Sequence, residues 1–172
     1  MRQAIGRWMG CVGLSAAAGC AAKEGDTGAC APEAAGGTLV ATVDGAAFST
    51  ATPSVQAAGA GFQLVTAPED GVRFTIVAQL TTGGEPALAA AEAGALPLEI
   101  PLTTGEEGGF ALAYVDGAAG SLQTAAGGPG LLTLTAWSAE AAAGCLSFTA
   151  ENDAGDTIAV ETGSFDAPRT AR

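Results

Sequence analysis

The chain contains no histidine. That absence removes Ser-His-Asp and Cys-His catalysis together with the usual His-based zinc sites. Lysine occurs once, at Lys23, and 6 Lys+Arg stand against 18 Asp+Glu, for a formal net charge of −12. Such a balance repels nucleic acid and offers none of the basic patches that phosphate binding requires, so no nucleic-acid partner is expected. Aromatic residues make up only 5% of the chain. Beyond the N-terminal segment only Trp137 and Tyr114 supplement the phenylalanines, which leaves little with which to stack a sugar. No apolar run reaches the about 20 residues that cross a bilayer as a helix. Period-fixed repeats are also missing, which argues against a propeller or solenoid.

What is there begins at the N-terminus. Arg2 and Arg7 form a positive region, Trp8 to Ala18 a short apolar stretch, and Leu14-Ser15-Ala16-Ala17-Ala18-Gly19-Cys20 a small-residue tract ending on cysteine. This pattern reads as a processed signal rather than a span. It resembles the lipobox of bacterial lipoproteins, with Ala18 and Gly19 as is typical, Ala17 where leucine is usual, and Leu14 three residues early. Cys11, after Met9-Gly10, would leave a much shorter apolar region. The resemblance implies that the Cys20 thiol is diacylated, that residues 1–19 are removed, and that the new amino group is acylated. Lipidation with two or more chains, palmitate among them, would give stable anchoring, since each buried CH₂ contributes about 0.8 kcal/mol. Ala21 rather than aspartate follows Cys20, which under the enteric sorting rule implies the outer membrane.

Loss of residues 1–19 would leave 153 residues, enough for one domain with a real core. It would also remove Arg2 and Arg7, leaving four basic against 18 acidic residues, a net charge of −14. The expected organisation is a signal over 1–19, a lipidated cysteine and flexible tether over 20–37, a single β-domain over 38–167, and a disordered tail over 168–172. The tether reading rests on Lys23, Glu24, Gly25, Asp26, Gly28, Pro32 and paired glycines, without an apolar period.

From residue 38 onward short alternating runs recur between Gly, Pro and Asp, as in antiparallel strands. Val72, Phe74, Ile76, Ala78 and Leu80 share one face, and Arg73, Thr75, Val77 and Gln79 the other. The same period makes inward rows of Leu39, Ala41 and Val43, of Phe62 and Leu64, and of Phe110, Leu112 and Tyr114. Further rows are Leu132, Leu134 and Ala136, then Leu146, Phe148 and Ala150, then Ile158 and Val160. Asp44-Gly45 is a hairpin turn. Pro86 to Ala93, followed by Gly94, is the one helix candidate, placed as a sheet crossover. The fold class is therefore all-β: an antiparallel β-sandwich, or alternatively a lipocalin-like or partly open β-barrel, with one short helix.

Two end patterns carry a second resemblance. Val43-Asp44-Gly45-Ala46-Ala47-Phe48 and Gly144-Cys145-Leu146-Ser147-Phe148-Thr149-Ala150, with Ile158 to Phe165, resemble uncharacterised bacterial lipoprotein families that carry a single small β-domain. Leu146 stands for the first aromatic of the closing pattern, and Cys145 where threonine is common. These families have no assigned activity, so the resemblance implies fold and anchoring alone.

With Cys20 committed to lipid, Cys30 and Cys145 remain. Export permits a disulfide between them, and two thiols cannot build a Cys₄ zinc site. Asp26-Thr27-Gly28 spells the aspartic-protease tripeptide, yet it lies in the tether without apolar flanks. Glu151, Asp153 and Asp156 are the best oxygen-ligand cluster for calcium, although they lack the alternating Asp spacing and distal glutamate of the loop motif, and a solvated turn uses the same residues. Glu69-Asp70 and Glu106-Glu107 read as turns, and Gly127-Gly128-Pro129-Gly130 is turn chemistry rather than a phosphate loop. No cofactor and no catalytic residue is expected. The resulting expectation is a membrane-anchored envelope lipoprotein with a structural or binding β-domain. Its alternatives are a carrier of a small apolar ligand and a carboxylate-dependent hydrolase.

Overall fold

The computed structural model describes Cys30 and residues 36–69, 72–78, 81–82, 85–102, 111–117, 120–125 and 128–170; within these, the side chains of residues 81–86 and 111–117 are not described. The elements in chain order are β1 (Thr38–Val43), β2 (Ala46–Thr50), β3 (Ser54–Ala58), β4 (Gly61–Val65), β5 (Arg73–Ala78), β6 (Thr81–Thr82), β7 (Glu85–Pro86), α1 (Ala87–Glu92), β8 (Leu98–Pro101), β9 (Ala111–Gly117), β10 (Gly120–Thr124), β11 (Gly130–Trp137), β12 (Ala141–Glu151) and β13 (Thr157–Thr170). Among the described residues the protein is mostly β with one short helix, and eleven of the strands belong to one curled sheet.

The long hairpin of β12 and β13 organises that sheet. On its flanks β13 pairs β1, β1 pairs β2, β12 pairs β11, and β11 pairs β8, all antiparallel. At one end the last residues of β13 pair β3 in parallel, Arg169 with Val55 and Thr170 with Gln56. At the other, Glu151 and Ala150 of β12 pair Gln123 and Thr124 of β10. Between these points run β3, β4, β5, β9 and β10. The second group of strands thus lies across the core from the first. Phe48 of β2 meets Phe74 of β5 with ring centroids 5.0 Å apart, Phe74 meets Phe148 of β12 at 6.3 Å, and Phe62 of β4 meets Trp137 of β11 at 5.1 Å.

Alternation explains the core. Phe74, Ile76 and Ala78 are fully buried, as are Phe62, Leu64, Leu39, Leu132, Leu134 and Ala150, while Leu146, Phe148 and Val160 are nearly so. Ala41, Val43, Val72 and Ile158 pack against this core half-buried. Asp44 and Gly45 both have positive φ, 48° and 75°, which is what a two-residue hairpin turn of the right twist demands. Proline 86 precedes α1, and Gly94, at φ 77°, follows it. The helix carries the chain from β5 and its small hairpin across to β8.

Two expectations need correction. Ala136 is exposed rather than buried, because a bulge between Leu134 and Ala136 shifts the period and turns Trp137 against the core instead. In β9 the expected inward row of Leu112 and Tyr114 falls on residues whose side chains are not described; the backbone register sets Leu112 opposite Val77 and Tyr114 opposite Thr75. The expected boundary at residue 167 falls short, since β13 continues to Thr170 through its pairing with β3. Leu80 and Phe110 lie outside the described residues.

Candidate functional site

Odd-numbered positions of β12 from 141 to 149 face outward, because the even positions from Ala142 to Ala150 fill the core. Cys145 is one of them. It is bonded to Cys30, with a Cα–Cα separation of 5.7 Å, well inside the range a disulfide requires. Its register partners are Thr133 of β11 and Ser164 of β13, and Ser164 in turn faces Val40 of β1. The disulfide therefore sits midway across the outer face of β2, β1, β13, β12 and β11.

A shallow open groove of about 780 Å³ surrounds it. The groove is lined by Val40, Thr42, Ser49, Thr133, Ser147 and Thr162 among others, so its surface is methyl and hydroxyl. Thr162 and Thr42 meet hydroxyl to hydroxyl at 3.3 Å. Ser164, though outward by register, is only 6% exposed. Glu161 supplies the carboxylate in this lining, at the irregularity where β1 and β13 slip by one residue. Both sulfurs are spent in the bond. Chemically the groove offers hydrogen-bond donors and acceptors and small apolar contact, without a paired nucleophile and base.

Matched against protein-family models, curated proteins and solved structures, the chain finds no counterpart in any of the three.

Cys20, Cys11 and Asp26-Thr27-Gly28 lie outside the described residues, as do Asp70 and Glu106-Glu107. Glu69 forms an isolated bridge with Val72 and so serves a turn. The calcium candidates Glu151, Asp153 and Asp156 are not gathered around one point: among the described residues no group of three or more His, Cys, Asp or Glu is placed to hold a metal ion. The turn uses these residues otherwise. Asn152 Oδ1 accepts hydrogen bonds from the amides of Ala154 and Asp156, both at 3.0 Å, and Asn152 Nδ2 donates to Asp156 Oδ2 at 2.9 Å. One of the carboxylates that a cation would need is thus occupied locally.

A cluster that sequence reasoning missed lies at the far end of β12 and β13. The Arg169 guanidinium covers the Trp137 ring, 4.1 Å from its centroid, and pairs with Glu92 at the end of α1 at 3.5 Å. Arg169 also donates from Nη1 to the Ser138 carbonyl, and its backbone amide donates to Glu140 O at 2.7 Å. Trp137 Nε1 is buried without a hydrogen-bond partner among the described residues. The three residues come from distant points of the chain, and Trp137 turns inward only because of the bulge. Neither fact has a local signal.

Proposed function

We propose that the protein is a lipid-anchored lipoprotein of the bacterial cell envelope, held at Cys20 and carrying a non-catalytic structural or binding β-domain. The observation that carries this reading is the disulfide. A Cys30–Cys145 bond fits an oxidising compartment, and so agrees with an exported chain whose N-terminus resembles a lipoprotein signal. The side of Ala21 in the sorting rule favours the outer membrane.

For the domain, we read the two facing strand groups as an antiparallel β-sandwich joined at two corners, in preference to a lipocalin-like barrel. Support comes from the Phe48, Phe74 and Phe148 chain of ring contacts, which fills the space between the groups where a carrier would keep its ligand cavity. The non-catalytic reading is supported by the lack of histidine and by the commitment of Cys30 and Cys145 to each other. The test is Cys20→Ser in the exporting host. The expected result is loss of lipid labelling and release from the membrane fraction; retention of both refutes the anchor.

A further inference from the structure

We infer that the Cys30–Cys145 disulfide, rather than the start of β1, is the point by which the domain is attached to its membrane anchor, so that the outer face of β1, β13, β12 and β11 is the membrane-proximal face. The inference rests on the anchor at Cys20 proposed above.

The β1 strand needs no disulfide to stay in place. Six of its residues pair β13, five pair β2, and Gly37 N donates to Asp166 O at 2.8 Å. What the bond fixes is the chain ahead of β1, and it fixes it on the middle of an outer face rather than at a strand end. Cys20 to Cys30 is ten residues, whereas Cys20 to Gly36 is sixteen. At about 3.6 Å per residue, the first length reaches at most about 36 Å and the second about 58 Å. A compact domain of about 130 residues has a radius of gyration near 14 Å, hence a diameter of about 36 Å and a half-circumference of about 57 Å. Ten residues fixed at one pole therefore cannot pass round to the opposite pole, while sixteen just can.

Charge acts in the same direction. A strongly acidic domain is repelled by an anionic headgroup layer, which favours orientations that keep its bulk away from the surface and its attachment point nearest to it. The face across the core, bearing Gln56 and Gln63 hydrogen-bonded at 3.3 Å and the exposed Gln123, is then the distal one.

The scarcity of lysine makes the geometry measurable. In a Lys23→Arg background a single lysine is introduced on the proximal face, Leu131→Lys, or on the distal face, Gln56→Lys; both positions are exposed. The lipidated full-length protein is placed in phosphatidylethanolamine–phosphatidylglycerol vesicles containing headgroup-labelled acceptor lipid, and energy transfer from a dye on the lysine is read. Transfer from position 131 is expected to exceed that from position 56 several-fold, with the difference shrinking in a Cys30→Ser/Cys145→Ser variant. Equal transfer from the two positions, or the reverse order, overturns the inference while leaving the anchor intact. Failure of the wild-type chain to associate with vesicles, or transfer unchanged in Cys20→Ser, overturns the anchor and this inference together. The comparison of 131 with 56 uses the intact disulfide, so it stands even where the double serine variant does not fold.

Discussion

Removing the Cys30–Cys145 crosslink is the perturbation whose magnitude follows most directly from the structure. The two residues are 115 apart in sequence, and a crosslink closing a loop of that size lowers the entropy of the unfolded chain by an amount equivalent to about 4.8 kcal/mol at room temperature. Measured values for native disulfides in small domains run from about 2 to 5 kcal/mol, so the figure is a ceiling. Because β1 keeps its pairings to β13 and β2, the reduced protein should still fold. With a urea slope of about 2 kcal/mol per molar, the midpoint should fall by up to about 2.4 M, and the slope should rise because the open unfolded chain exposes more surface. The assay is equilibrium urea unfolding of the oxidised protein, the reduced protein, and the Cys30→Ser, Cys145→Ser and double variants, with thiols counted in each. Either single substitution should cost as much as both together, since each removes the same bond. Coincident midpoints for samples whose thiol counts confirm the bond present in one and absent in the other would refute the reasoning.

Two further predictions concern packing. A Cβ at Gly144 would lie 2.1 Å from the Thr133 carbonyl oxygen, which is backbone and cannot swing away, whereas one at Gly163 would meet the tip of the Leu146 side chain at 2.8 Å. Gly144→Ala should therefore cost about 3 kcal/mol or more and Gly163→Ala less, and thermal melts giving the opposite order would show the β11–β12 contact to be misjudged. Arg169→Gln removes the guanidinium from Trp137 and from Glu92, for an expected loss of about 1 to 2 kcal/mol together with a change in tryptophan emission. Glu92→Gln, at a side chain more than half exposed, should cost less than about 1 kcal/mol, and a larger loss than for Arg169→Gln would place the energy in the ion pair instead of the ring contact.

Much of the fold was legible because a period of two is a strictly local signal. The row Phe74, Ile76, Ala78 and the row Leu146, Phe148, Ala150 are buried as their alternation requires, and Asp44-Gly45 turns as the positive φ angles of its two residues allow. The miss in β11 has a local cause. At Ala136 an extra residue in a bulge reverses inside and outside, and this is not written in the hydrophobic pattern, because small residues such as alanine sit on either face at little cost. The end of the domain was missed for a related reason. Residues Arg169 and Thr170 are polar, and only the neighbouring β3 makes them part of a strand.

By itself the sequence determined which chemical groups the chain can offer: no histidine, one lysine and a strong excess of acidic side chains. It also determined that the chain makes strands, because alternation and turn residues act over a few positions. Only the tertiary structure decided which strands meet, that Cys145 faces outward in the middle of a sheet to receive Cys30, and that Arg169, Trp137 and Glu92 come together. Those contacts join residues tens to more than a hundred positions apart, and their geometry depends on register and bulges, which are settled when the whole core packs rather than within any one segment.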